Sequence, residues 1–464
     1  MKKLYFITGS QDLYGEETLK QVALDSKEMA TYLNSRLGNV VIEWQPTVRS
    51  SEEAEDVLMK ASADKECIGV ITWMHTFSPA KMWIKGLQRL VKPLLHLHTQ
   101  YNRELPYKTI DMDFMNLNQS AHGDREFGFI CTRLGLKREV VAGYYKNDAV
   151  LKRIRRFADV ARAMDYSHNL RVAMFGNNMR DVAVTDGDRV ESEIRFGWNV
   201  NYYGLGDIVD IVNSVKEQEL AEKMSEYAEK YVMNTTDIEA VKEQAKYAVA
   251  LEKFFKKERI GAFTDTFQDL YGLRQLPGLS VQDIMSKGIG FGPEGDYKTS
   301  ALMAVLCKMA EGRDGATAFL EDYTYDLTEG NELELASHML EVSPVFASDK
   351  PKIEVHPLGI GGKEAPARLV FDGIEGAGIA VSMVDMGTHF RLICAAIELV
   401  KQPEEMPKLP VARVMWKILP DFANGAEQWI YAGGAHHAVV STAVTKEDIA
   451  LFAKLTGTEV VFIG

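Results

Sequence analysis

Apolar residues recur along this chain with two different periods, and the alternation between the two sets the expected fold. LYFITG (4–9), VVIEWQP (40–46), CIGVITWM (67–74) and PLLHLHT (93–99) are short, nearly continuous apolar runs. Strands buried on both faces of a parallel sheet read this way. Between them, stretches such as ETLKQVALDSKEMATYLNSRL place apolar residues at helical spacing. Strand, helix and strand in repetition predict a doubly wound α/β sheet. The pattern restarts at RVAMFG (171–176) and continues through VNYYGLG and IGAFTDTF (260–267), with a long Glu- and Lys-rich helical region between them. A second α/β domain is expected, with a boundary near 165–170.

Proline usage marks a third region. No proline occurs between 107 and 276, whereas eight of the fourteen fall between 344 and 420. There KIEVHPLGI, ARLVFDG, GIAVSMVDMG and HFRLICAAI read as strands separated by Gly and Asp turns, and an antiparallel sheet or barrel is expected. The predicted architecture is two doubly wound (Rossmann- or flavodoxin-like) α/β domains, 1–168 and 169–315, followed by a β-rich, barrel-like domain over 316–464.

Composition narrows the function. A net charge of −13 argues against nucleic acid and anionic membranes as partners, since both reward a basic surface. MKKLYFITGSQDLYG has no long apolar stretch and reads as a first strand rather than a signal peptide. No apolar run reaches the roughly 18 to 20 residues of a membrane span. Cys67, Cys131, Cys307 and Cys394 are widely spaced among apolar neighbours. Buried free thiols and a cytoplasmic location are expected.

Candidate chemistry concentrates in the last third. Glu294 lies in FGPEGDYKT, Glu321 in LEDYTYD, His338 in ASHMLEV and the pair His436–His437 in GGAHHAVVS. Two carboxylates and two imidazoles suit a divalent cation of intermediate hardness such as Mn²⁺, Fe²⁺ or Co²⁺. Taken singly, each has a plainer reading as an ion-paired carboxylate or a core histidine; their joint presence raises a metal centre as a candidate beside those readings. His436 and His437 precede a strand-like run, and neighbouring strand residues face opposite ways, so one imidazole is expected at a given metal. Gly290, Gly292 and Gly295 fit G-x-G-x-x-G, but a helical segment precedes them and Glu294 would repel a pyrophosphate. A glycine-shaped loop presenting Glu294 at a helix start is expected instead. GIGGK (359–363) lacks the spacing of a phosphate loop. His75, Phe77, Trp83, Gln119 and His122 fall at the ends of predicted strands, where an open α/β sheet forms its ligand crevice. Their neutral, aromatic mixture suits an uncharged, hydroxylated ligand.

Ten segments then carry a resemblance: GSQDLYG, WMHTFSPAKMW, DMDFMNLNQSAHGDREFGF, FGNNMRDVAVTDGD, QLPGLSVQ, EGDYKTSAL, EDYTY, SHMLEV, LGIGGK and GGAHH. In this order, and across nearly the whole chain, they resemble the L-arabinose isomerase family. The resemblance implies a cytosolic enzyme interconverting L-arabinose and L-ribulose, with D-galactose to D-tagatose as a side reaction. It implies one Mn²⁺ per subunit, replaceable by Co²⁺ or Fe²⁺, held by Glu294, Glu321, His338 and His437. Glu294 and Glu321 would also carry the protons of an enediol route. Gln11, Leu13, Phe77, Gln119, His122, Met179, Phe267, Tyr323 and Met339 would line the sugar. It further implies a homo-oligomer, a hexamer built of trimers, in which first-domain residues reach a neighbour's metal centre. Asp12, Asp265 and Asp326 depart from residues commoner in the family, namely His, Thr and His, and the chain ends at VVFIG, short of the tail many relatives carry. Rival readings are a non-catalytic sugar-binding protein, which calls for an export signal and no acidic metal site, and a metal-dependent aldolase acting on sugar phosphates, which calls for a basic phosphate cradle.

Overall fold

The apolar runs of the first hundred residues become neighbouring strands of one parallel sheet. β1 (Lys3–Gly9), β2 (Val41–Trp44), β3 (Cys67–Met74), β4 (Leu94–His98) and β5 (Glu139–Ala142) pair in the order 2-1-3-4-5. Every residue of β3, the central strand, is buried, which is why its sequence shows no polar alternation. Amphipathic helices cover the sheet. Gly15–Leu37 buries Val22, Met29, Leu33 and Leu37, and Ser51–Ala63 opens on Ser50, whose hydroxyl accepts from Glu53 N–H, satisfying an orphan donor of the first turn. The computed structural model describes residues 1–464. They form two compact units, 1–165 with 454–457 and 166–453 with 458–464.

The second unit holds three sheets. β6 (Arg171–Phe175) and β7 (Asn199–Tyr203) belong to a parallel sheet with β9 (Ala262–Asp265) and β10 (Gly290–Phe291), in the order 10-9-6-7. The short β8 (Val232–Met233) lies outside it. β11 (Thr317–Asp326) and β12 (Leu333–Ser337) begin the antiparallel part. β13 (Lys352–Val355) and β14 (Ala367–Val370) follow, then β15 (Gly376–Asp385), β16 (Phe390–Val400), β17 (Val414–Ile418), β18 (His437–Ser441) and β19 (Glu459–Ile463). Six of these close into an antiparallel barrel, 15-18-11-12-17-16 and back to 15, with β19 added parallel to β16. Closure leaves those six without a free edge.

The β-rich C-terminal region is therefore as expected, but its membership differs. KIEVHPLGI and ARLVFDG form β13 and β14 of a separate three-stranded sheet with β8. The barrel also takes β11 and β12, whose mixed apolar and acidic residues hide strand periodicity, together with β17 and with β18, the strand-like run after His436. All four cysteines are free; Cys67, Cys131 and Cys394 are buried and Cys307 partly so. No helix is long and apolar enough to cross a membrane.

Candidate active site

The barrel register assembles the first pair. Glu321 on β11 stands directly opposite His437 on β18 and opposite Ser337 on β12. Residues directly opposite in an antiparallel pair share a face, so Glu321 and His437 are neighbours by construction. His338, next to Ser337, turns its Nε2 to within 3.6 Å of Glu321 Oε2.

Glu294 arrives from the parallel sheet. The helix Leu279–Met285 precedes the glycine run, as expected, and Gly290 itself opens the two-residue β10. The glycines of the run serve close packing rather than a phosphate. A Cβ on Gly290 would sit 2.0 Å from Ser300 O, and one on Gly292 2.6 Å from Asp296 O, both in the first turns of helix Tyr297–Ala310 or at its cap. Glu294 itself adopts φ 63°, a left-handed conformation costing on the order of 1 kcal/mol for a residue with a side chain. Met179 N–H donating to Glu294 O (2.9 Å) and Gly295 N–H donating to Asp265 O (3.0 Å) hold it there.

Three ligand-capable side chains converge: Glu294, His436 and His437 offer atoms all within 4.8 Å of one another. His436 Nε2 lies 3.3 Å and His437 Nε2 3.9 Å from Glu294 Oε2. This corrects the expectation that only one imidazole could face the cluster. His436 precedes β18, which begins at His437, so strand alternation does not govern it.

Carboxylates behind the histidines set their chemistry. Asp296 is buried and accepts from Thr299 N–H (3.1 Å), Thr299 Oγ1 (2.7 Å) and His437 Nδ1 (3.0 Å). Burial opposes its charge, but Lys298 and these donors keep its pKa far below the usual carboxylate range. An ionised Asp296 only accepts, so His437 carries its proton on Nδ1 and Nε2 keeps a lone pair. That Nε2 is buried with no hydrogen-bond partner. Burial lowers the His437 pKa, keeping the ring neutral as a ligand must be. Burial would also lower His338, but Glu341 beside its Nδ1, 2.5 Å away, and then Glu321 lift it to about 9, so a cation bound at Nε2 would have to displace the second ring proton, leaving Nδ1–H on Glu341. The hydrogen bond from His436, against burial, lowers the Glu294 pKa. Two carboxylate–histidine pairs behind inward-facing nitrogens, an orphaned buried lone pair and adjacent carboxylates are a donor set that fits one divalent cation.

A cavity of about 500 Å³ opens beside Glu294 and brings together Met179, Phe267 and Met339 with Gln268, Tyr271 and Lys363. Phe267 stacks on His338 (5.8 Å, 20°), and the Phe319 ring meets both His338 and His437 edge-on at 5.5 and 5.2 Å. Tyr323, two residues past Glu321, is half-exposed; desolvation and then the Glu321 charge raise its pKa.

In the first unit, Gln11 and Leu13 follow β1 and Phe77 follows β3, the two strands where the sheet order reverses, the usual ligand crevice of such sheets. Phe77 stacks on His122 (4.4 Å, 29°), and Gln119 accepts from Tyr14 Oη (3.2 Å). Leu13 is 84% exposed. His75 and Trp83, by contrast, are core: His75 pairs with buried Asp25 (2.9 Å) and stacks on Trp73, and Trp83 donates to Ser78 Oγ.

Of the unusual aspartates, Asp12 pairs with Arg49 (3.2 Å) and Asp326 accepts from Thr328 in an exposed turn. Asp265 is buried; burial, then the Glu341 charge, push its pKa up to about 8. Sequence reasoning did not single out Asp296, Glu341 or Phe319. Asp296 two residues past Glu294 and Glu341 three past His338 were the available signals.

Three family profiles together span nearly the whole chain: the L-arabinose isomerase N-terminal domain over residues 1–169, its central domain over 171–312 and its C-terminal domain over 316–459. Proteins named L-arabinose isomerase from Halalkalibacterium halodurans, Geobacillus stearothermophilus and Thermotoga petrophila are 50%, 51% and 50% identical to it. Each alignment covers 99% of this chain and 93%, 94% and 94% of the relative, respectively.

Proposed function

The chain belongs to the L-arabinose isomerase family and is an isomerase, and we propose that it interconverts L-arabinose and L-ribulose at the Glu294, Glu321, His338 and His437 cluster, with D-galactose to D-tagatose as a side reaction. The carrying observation is the unpartnered lone pair of buried His437 Nε2 beside Glu294. Mn²⁺, one per subunit, is the cation of this reading, with Co²⁺ or Fe²⁺ as substitutes. When bound it supplies Lewis acidity to the oxygens on C1 and C2 of the sugar.

The protein groups do the rest. One of Glu294 and Glu321 takes the C2 proton and returns it to C1 by way of an enediol, while the other handles the hydroxyl proton. Their surroundings separate them for these tasks: Glu294 is held anionic by His436, whereas Glu321 faces His338 across 3.6 Å. Phe267, Met179 and Met339 provide apolar walls that position the sugar and exclude water from the proton path. Gln11, Leu13, Phe77, Gln119, His122 and Tyr323 complete the sugar-binding set in this reading. Three domains, 1–168, 169–315 and 316–464, a cytoplasmic location and a hexamer of paired trimers complete it, with the first domain of one subunit facing the metal centre of the next.

The test is ketose formation from L-arabinose after chelation and then Mn²⁺ addition. Activity should vanish with the metal and return with it. Undiminished turnover after complete chelation would sink the metal-dependent reading, and no ketose from L-arabinose at any metal level would sink the substrate. For subunit sharing, an inactive Glu321→Gln protein and an inactive Gln11→Ala/His122→Ala protein should regain activity when their subunits exchange.

A further inference from the structure

Lys298 is an expensive residue to keep where it stands. It is the second residue of helix Tyr297–Ala310 and has no exposed surface. A cation at a helix N-terminus opposes the macrodipole, and a buried ammonium loses its hydration. Stability alone would favour an apolar side chain there. Its ammonium donates to two acceptors, Thr185 O (2.7 Å) and Asp186 O (2.7 Å), and forms an ion pair with Asp296 Oδ1 at 3.5 Å.

Each partner leads to the site. Asp296 is the residue that receives His437 Nδ1. Thr185 and Asp186 belong to the loop after β6, which also carries Met179, and Met179 N–H donates to Glu294 O. One ammonium thus touches both the anchor of a proposed ligand and the segment that holds the strained Glu294 backbone.

We propose that Lys298 is a positioning residue for the metal centre, acting through the Asp296 carboxylate to orient the His437 ring while clamping the Met179 loop. The inference rests on the reading that Glu294 and His437 belong to that centre. In a bare pocket Asp296 would be free to rotate toward Thr299 alone, and His437 would lose the partner that selects its Nδ1–H tautomer. Outer partners of this kind tune metal affinity without touching the ion.

The test uses the full chain and Mn²⁺ alone as the probe, with the Co²⁺ absorption band of the substituted protein as a second readout. Lys298→Met should weaken Mn²⁺ binding about 10- to 100-fold and shift that band. Asp296→Asn should do the same, and the double variant should lose no more than about threefold beyond Asp296→Asn, because both act on one path. Lys298→Gln can still donate to the two carbonyls but lacks the charge, so it should restore the melting temperature more than the affinity. A cooperatively melting Lys298→Met with wild-type Mn²⁺ affinity overturns the proposal, as do losses that multiply in the double variant or full rescue of affinity by Gln. Should neither lysine variant fold, the metal-free wild type decides: imidazole ¹⁵N shifts must show His437 protonated at Nδ1 and bare at Nε2, and the opposite tautomer overturns it. Wild type that binds no Mn²⁺ defeats the metal centre itself, a failure distinct from all of these.

Discussion

The crevice of the first sheet and the cluster at the barrel handle polar side chains in opposite ways. Around Gln11, Leu13, Phe77, Gln119 and His122 the groups sit on loops or at a helix start, are neutral, and include a leucine that is 84% exposed. Their contacts are a ring stack and a few amide hydrogen bonds. At the barrel, His338 and His437 are 2% and 0% exposed, each backed by a carboxylate. Loops suit a neutral ligand bound through many weak contacts. Charge that must be stabilised in a transition state needs groups fixed in advance, and strands with a second layer of partners supply that. Even the strain follows the division, since Glu294 and not a crevice residue has the left-handed backbone.

The largest effect should come from the cluster. Glu294→Gln and Glu321→Gln should each cut kcat about 10³-fold while leaving the melting curve near wild type; near-normal turnover in either with Mn²⁺ present would remove that residue from the proton path. Next in size, His437→Ala should come through dialysis nearly free of Mn²⁺ while His436→Ala retains it. The reverse result would assign the inner ligand to the imidazole 3.3 Å from Glu294. The crevice should respond more gently. Phe77→Ala removes one face of the His122 stack and should raise KM about 3- to 10-fold with kcat within twofold. A collapse of kcat there would mean that the crevice is as preorganised as the cluster.

The smallest effect concerns pH. Asp124 hydrogen-bonds His98 at 2.8 Å and raises its pKa above the ordinary 6.5. A raised folded value means the protonated ring stabilises the fold fully below 6.5, and that contribution is lost as pH rises through the folded value. His98→Gln should therefore melt lower than wild type at acid pH and converge with it at alkaline pH. With His98 36% exposed, the gap should stay under about 1 kcal/mol. A gap that grows with pH would reverse the assignment.

Much of this was legible in residue order. Continuous apolar runs announced β1, β3, β4, β6 and β9, and the clustered prolines and turns announced a β-rich region. Glycines around Glu294 announced a shaped loop, and helix Tyr297–Ala310 does begin just after it. The barrel strands were harder. β11 reads TAFLEDYTYD, four buried residues, then two partly buried and four exposed, so it matches neither a buried run nor an alternating one. His75 and Trp83 looked like crevice residues because strand ends are where both crevice and core side chains occur; only burial separates them.

Local pattern and residue chemistry, then, determined which segments are strands or helices and which side chains can hold a cation, because period and donor type are properties of a few neighbouring residues. The tertiary structure alone decided which of those side chains meet. Glu321 faces His437 because β11 and β18 pair in one register, and a slip of one residue would send every side chain of the strand to the other face. Asp296 meets His437 and Lys298 meets Thr185 the same way, since hydrogen-bond partners far along the chain are chosen by strand pairing and burial, which no local pattern encodes.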